Sequence, residues 1–113
     1  MYRRADFARV RGKGRAKAGR FLLVSTLADP ALDGLRVGII TTRRVGKAHD
    51  RNLLRRRVRA IIQRHGERII DPRRFLVTVL RVGASGADFE ALERDWLKQA
   101  GRLGMIDKDP ELA

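Results

Sequence analysis

The run Arg43–Arg64, RRVGKAHDRNLLRRRVRAIIQR, holds nine Lys or Arg residues against one acid, Asp50. A segment so charged can fold only by segregating its apolar side chains, and it does so at helical spacing. Leu54, Val58, Ile61 and Ile62 stand at i, i+4, i+7 and i+8, which sets them on one side of a helix. At 100° per residue, Asn52, Arg55, Arg56 and Arg59 share the other side, within roughly 100° of one another. Such a helix must pack by one face and hold a guanidinium-dense face outward. Phosphate-rich polymers are the natural partner of that face, so the chain reads as an RNA- or DNA-binding protein.

The net charge of +13 is concentrated rather than spread. Residues 1–20 carry +7 and residues 43–64 carry +8, so the remainder is −2. Two basic segments on a near-neutral body suit a binding surface better than a general solubility device. A charged helical face is often merely solvated. Here Arg outnumbers Lys eight to one between 43 and 64, and guanidinium forks match phosphate oxygens bidentately. Arg51, Arg55 and Arg59 also repel one another at successive i+4 steps, so a compensating anion is expected.

With 113 residues, 43% of them hydrophobic, the chain fits a single folded domain over 1–113, with 105–113 expected as a frayed tail. The absence of cysteine excludes disulfides and thiolate metal sites. No apolar stretch approaches membrane-spanning length and no signal-peptide core precedes the basic N-terminus, so a soluble cytoplasmic protein without a membrane partner is expected.

Residues 3–10 predict a short helix with Phe7 and Val10 inward. Gly12, Gly14 and Gly19 predict its end and a basic loop, RGKGRAKAGR. Strands are expected over 21–27, 36–42 and 75–82, each rich in apolar and β-branched residues. The runs are more apolar than strict alternation, so one sheet face should be well covered and the other partly. The basic helix is expected over 48–65, ending at His65-Gly66. A last helix over 87–103 carries Phe89, Leu92, Trp96, Ala100 and Leu103 on one face, with Ser85 and Asp88 as a weak capping box. The resulting class is α+β: three helices on a small, mostly antiparallel sheet of about four strands, in the order α-β-β-β-α-β-α.

No catalytic side chain is expected. His49 and His65 are the only histidines, the acids are scattered, and GKG at 12–14 lacks the remainder of a phosphate-binding loop. Thr41 and Thr42 are explained by strand propensity.

VGIITTRRVGKAHDRNLLRRRVRAII resembles the signature of the bacterial ribonuclease P protein subunit family. That signature is a strand, a hydroxyl residue with two basic residues, Gly-Lys-Ala, then Arg-Asn opening a basic amphipathic helix. RRADFARVRGKGR, GRFLLVSTL and FLVTVLRVGA with LERDWLKQAGRL resemble its flanks, so about residues 2–103 are covered. The resemblance implies the accessory subunit of a ribonucleoprotein endonuclease that removes the 5′ leader of precursor tRNA. Its RNA subunit performs catalysis and holds most of the magnesium. The implied partners are ribonuclease P RNA and the precursor tRNA leader, with no obligate protein partner. By the same resemblance Arg43, Arg44, Lys47, Arg51, Asn52, Arg55, Arg56 and Arg59 would contact RNA, and Phe7, Arg11, Phe21 and Val24 would lie at the leader cleft. The basic helix would sit in a left-handed crossover, against the usual right-handed rule. Leu53, Arg11 and Val24 depart from the family pattern, and the last two imply a cleft with less base stacking and more charge, from Arg9 and Arg11. The alternative is a ribosomal-type structural RNA-binding protein. A helix-turn-helix DNA regulator is disfavoured because the basic helix follows a strand.

Overall fold

The computed structural model describes residues 4–107, without the side chains of Arg4, Ala5 and Phe7. Its elements run α1 (Arg4–Lys13), β1 (Arg15–Ala18), β2 (Leu22–Ala28), β3 (Arg36–Ile40), α2 (Ala48–His65), β4 (Arg74–Leu80) and α3 (Phe89–Arg102). The expected α-β-β-β-α-β-α order is the observed one.

The strands lie in the order β1-β2-β4-β3. β2 pairs antiparallel with β1 and β4, while β3 pairs parallel with β4. The chain therefore leaves β3, crosses one sheet face as α2, and returns beside β3 in the same direction as β4. β4 is central and buried on both faces, which accounts for its nearly unbroken apolar sequence.

Strand parity divides the side chains between two layers. Leu22, Val24, Leu76 and Leu80 point to one face, where Leu54, Val58, Ile61 and Ile62 of α2 and Leu92, Trp96 and Ala100 of α3 complete the main core. All four α2 residues of the sequence stripe are buried, each contributing about 2 kcal/mol relative to exposure. On the opposite face Val10 of α1 packs with Phe75 and Val77, and Leu27, Leu32, Ile40 and Val79 remain half-buried around them. One face is thus fully covered and the other partly, as the strand composition predicted.

Hydrogen bonds lock the layers. The indole Nε1 of Trp96 donates to Thr78 Oγ1 at 3.2 Å, joining α3 to the central strand with both residues fully buried. The Asp95 carboxylate accepts from the backbone N–H groups of Phe21 and Leu22 at 2.9 and 3.2 Å, stapling the start of β2 to α3. That carboxylate lies against Gly19, where a Cβ would collide with it.

Three local expectations need correction. α1 continues through Gly12 to Lys13, and part of the basic segment read as loop, residues 15–18, is an edge strand. The β1–β2 backbone ladder stabilises it despite a composition that carries no strand signal. The cap of α3 is Asp88, whose carboxylate accepts from Ala91 N–H at 2.8 Å; Ser85 lies in a separate 3-10 turn. Met105 and Ile106, expected in a frayed tail, are buried, and Ile70 N–H donates to Met105 C=O at 2.8 Å. Residues 108–113 of that tail lie outside the described residues.

Candidate nucleic-acid interface

The loop from β3 into α2 presents the first part of the basic surface. Val45 is buried in the main core, and its N–H donates to Thr42 C=O at 3.0 Å. That anchor leaves Arg43, Arg44 and Lys47 on either side of it exposed. α2 begins with Lys47 as its N-cap, in extended conformation and without a side-chain cap bond. Its first hydrogen bond runs from Arg51 N–H to Lys47 C=O at 2.9 Å. A helix N-terminus carries partial positive charge and unpaired N–H groups, so cations there are unfavourable unless an anion joins them. The sequence places Arg43, Arg44, Lys47 and Arg51 around that end, against the single acid Asp50 in the first turn.

Along α2 the cations divide by what they touch. Arg57 Nη1 donates to Ala87 C=O at 3.0 Å and tethers α2 to the turn before α3. Arg64 and His65 both meet Glu93, at 3.2 and 3.0 Å. These are structural contacts. Arg55 Nη1 donates to Asn52 Oδ1 at 2.9 Å, so Asn52 holds a guanidinium in place on the exposed face. Arg43, Arg44, Lys47, Arg51, Arg56 and Arg59 form no ion pair with any described residue. Arg56 and Arg59 are exposed and Arg51 is half-buried. The sequence-derived RNA set thus lies in the loop before α2 and along the first three turns of that helix.

Two buried polar atoms at its root, Thr41 Oγ1 and Arg51 Nε, have no partner among the described residues. An unsatisfied buried group of this kind costs about 1–3 kcal/mol. Sequence gave no sign of this, because burial decides it.

The expected cleft set is dispersed. Val24 is fully buried in the core between the sheet and α3, on the face opposite α1, and cannot line a cleft beside that helix. The reason is parity: Leu22, Val24 and Thr26 point one way along β2, and Leu23, Ser25 and Leu27 the other. Phe21 is half-buried against the same core, with the Arg20 guanidinium 5.2 Å from its ring centroid. The side chain of Phe7 lies outside the described residues. Arg11 is exposed near the end of α1.

The side chains that floor the α1 face are instead Leu23, Ser25 and Leu27 of β2, Val79 of β4 and Ile40 of β3, all half-buried. Arg9 reaches over this floor from α1, 5.4 Å from the Phe75 centroid and 3.3 Å from Asp29. Asp29 also accepts from Ala31 N–H at 3.0 Å, ordering its own turn. Arg9 is therefore tied down, and the charge imagined for the cleft is partly spent within the fold.

Lys13, Arg15 and Arg74 line a separate cavity of about 450 Å³ that also reaches Leu103 and Gly104. It sits where α1 and α3 end, so these cations offset two helix C-termini. Among the described residues no group of three or more His, Asp or Glu is placed to hold a metal ion, and no helix is long and apolar enough to cross a membrane.

Fold and surface together define an α+β domain with a basic helix crossing between parallel strands, most of whose outward cations form no ion pair with a described residue. The family model for ribonuclease P matches residues 1–104. The ribonuclease P protein component of Syntrophomonas wolfei is 30% identical over 104 residues, 92% of this chain and 86% of that protein. That of Thermus thermophilus is 40% identical over 100 residues, 88% of this chain, which spans only 56% of the longer relative. Staphylococcus aureus RNase P protein shares the fold at a TM-score of 0.86 and 22% identity, over 95% of this chain and 96% of that one. The Thermotoga maritima RNase P protein aligns at a TM-score of 0.78 and 27% identity, over 95% and 96%. The chain belongs to the ribonuclease P protein family.

Proposed function

We propose that the chain is the accessory protein subunit of ribonuclease P, docking on the catalytic RNA and helping it remove the 5′ leader of precursor tRNA. The observation that carries this reading is the set of six cations without an ion-pair partner among the described residues, gathered on the uncapped start and outer face of α2. A helix face so rich in guanidinium groups suits a polyanion, whose phosphates Arg and Lys neutralise with release of counterions. Asn52 prepares Arg55 for that contact by fixing its guanidinium.

The single-stranded leader runs over the partly covered face beside α1. Its floor is Leu23, Ser25, Leu27, Val79 and Ile40, with Arg9 above; Arg11, further along α1, adds charge at the margin. An aliphatic floor stacks bases weakly compared with aromatic rings, so leader binding here depends little on base identity. Magnesium is held mainly by the RNA subunit in this reading. The chain's own role is to raise affinity for substrate and to lower the magnesium needed, in the cytoplasm where tRNA precursors are made.

The test is leader cleavage of a precursor tRNA by a bacterial ribonuclease P RNA at low magnesium. The chain restores cleavage, and an unrelated protein of equal charge and size does not. Equal rescue by both would reduce the effect to nonspecific charge and remove the reading.

A further inference from the structure

Between α2 and the edge strand β3 lies a groove of about 330 Å³, lined by Val37, Ile39 and Ile62 with Arg55, Arg59 and Gln63. This volume is at the lower end of small-ligand sites, about 300–1,000 Å³. Its floor is aliphatic: Val37 and Ile39 are half-buried and packed against the main core, and Ile62 belongs to that core. Its rim carries two guanidinium groups, one held by Asn52 and one without an ion-pair partner among the described residues. Long Arg stems can cover apolar surface on their own, yet here they leave the space open.

Gln63 completes the groove. It stands four residues after Arg59, where Glu would have paired with that guanidinium and neutralised the rim. A neutral amide instead keeps the rim cationic and offers one acceptor and two donors. Aliphatic floor, guanidinium planes and an amide form the set that receives an unstacked base. The ring lies on apolar and guanidinium surfaces, and its edge is read by hydrogen bonds. The groove is continuous with the RNA-facing surface through Arg55, so a nucleotide seated there would keep its phosphates beside Arg56 and Arg59.

We propose that the α2–β3 groove takes one unpaired nucleobase of the docked RNA, held between Ile39 and the Arg55 and Arg59 guanidinium groups and read by Gln63. The inference rests on the RNA-docking reading above. It adds a base-sensing contact to a surface otherwise built for phosphate.

The experiment uses the full chain bound at saturation to a bacterial ribonuclease P RNA, probed with dimethyl sulfate and carbodiimide at base edges. Wild-type protein should protect one unpaired base that Gln63→Ala re-exposes. The same variant should bind about tenfold more weakly with an unchanged salt slope, because no charge is lost. Gln63 is exposed, and its variant should melt with the wild type. Identical modification patterns and affinity in the two proteins would overturn the groove while leaving the docking reading intact. Wild-type binding no tighter than to an unrelated RNA of equal length would overturn the docking reading, and the groove with it. Self-association weakened by Gln63→Ala would assign the groove to a second copy of the chain and likewise overturn it.

Discussion

Asp95 and Gly19 form a coupled pair whose energetics follow from their contact. The Asp95 carboxylate accepts from two β2 N–H groups and from Gln99 Nε2 at 3.1 Å. Asp95→Ala removes all three acceptor contacts. At about 1 kcal/mol for each, below the range for fully buried charged partners because the site keeps some solvent, the loss is about 2–3 kcal/mol. For a domain of this size that lowers Tm by about 10 °C. Gly19→Ala inserts a Cβ where the carboxylate lies. The side chain escapes by swinging out and forfeiting the same bonds, so the cost approaches that of Asp95→Ala and is capped near it. In the double variant the carboxylate that the methyl would strike is already absent. Its loss should therefore match Asp95→Ala alone, leaving a coupling of about 2 kcal/mol. Urea unfolding of the four proteins, read by Trp96 fluorescence and circular dichroism, measures the cycle. Additive losses, to within about 0.5 kcal/mol, would refute the claim that the carboxylate is what excludes a side chain at Gly19.

Thr78→Val leaves the buried Trp96 N–H without its acceptor and should cost about 1–3 kcal/mol in urea unfolding, whereas Thr78→Ser should recover most of it. Thr41→Val removes a buried hydroxyl that has no partner among the described residues and should raise stability by about 1 kcal/mol, seen as a Tm increase of about 4 °C. Arg57→Ala should lose about 1 kcal/mol of stability with its bond to Ala87 C=O while binding RNA with nearly the wild-type salt slope. Arg56→Ala, by contrast, should leave Tm unchanged and reduce that slope by about 0.7–0.9.

How much of this was legible in the sequence depended on the range of the interactions involved. The α2 stripe was readable because Leu54, Val58, Ile61 and Ile62 follow the helical period without interruption, and their burial needed only one face to pack. The outward cations were readable for the same reason. β1 was not, since RAKA has no strand propensity and exists through its ladder with β2. Val24 was misplaced because an apolar run such as FLLVSTL fixes a strand but not the parity by which its residues face two layers. Asp95 carried no local signal, because it acts across more than seventy residues; Asn52 was legible in the Arg-Asn opening of the basic helix, but its bond to Arg55 was not. The alternation in burial along β2, visible only in the folded chain, puts Leu23, Ser25 and Leu27 on the α1 face.

The central claim is that the unpaired cations of the crossover loop and α2 meet RNA phosphates. The direct measurement is the salt dependence of binding to a bacterial ribonuclease P RNA, for wild type and for the triple variant Arg43→Ala, Arg44→Ala, Arg56→Ala. Each lost phosphate contact should flatten the log–log slope by about 0.7–0.9, so the triple variant should be shallower by about 2–3 with its Tm unchanged. A slope equal to that of wild type would show that this surface is not where the RNA docks.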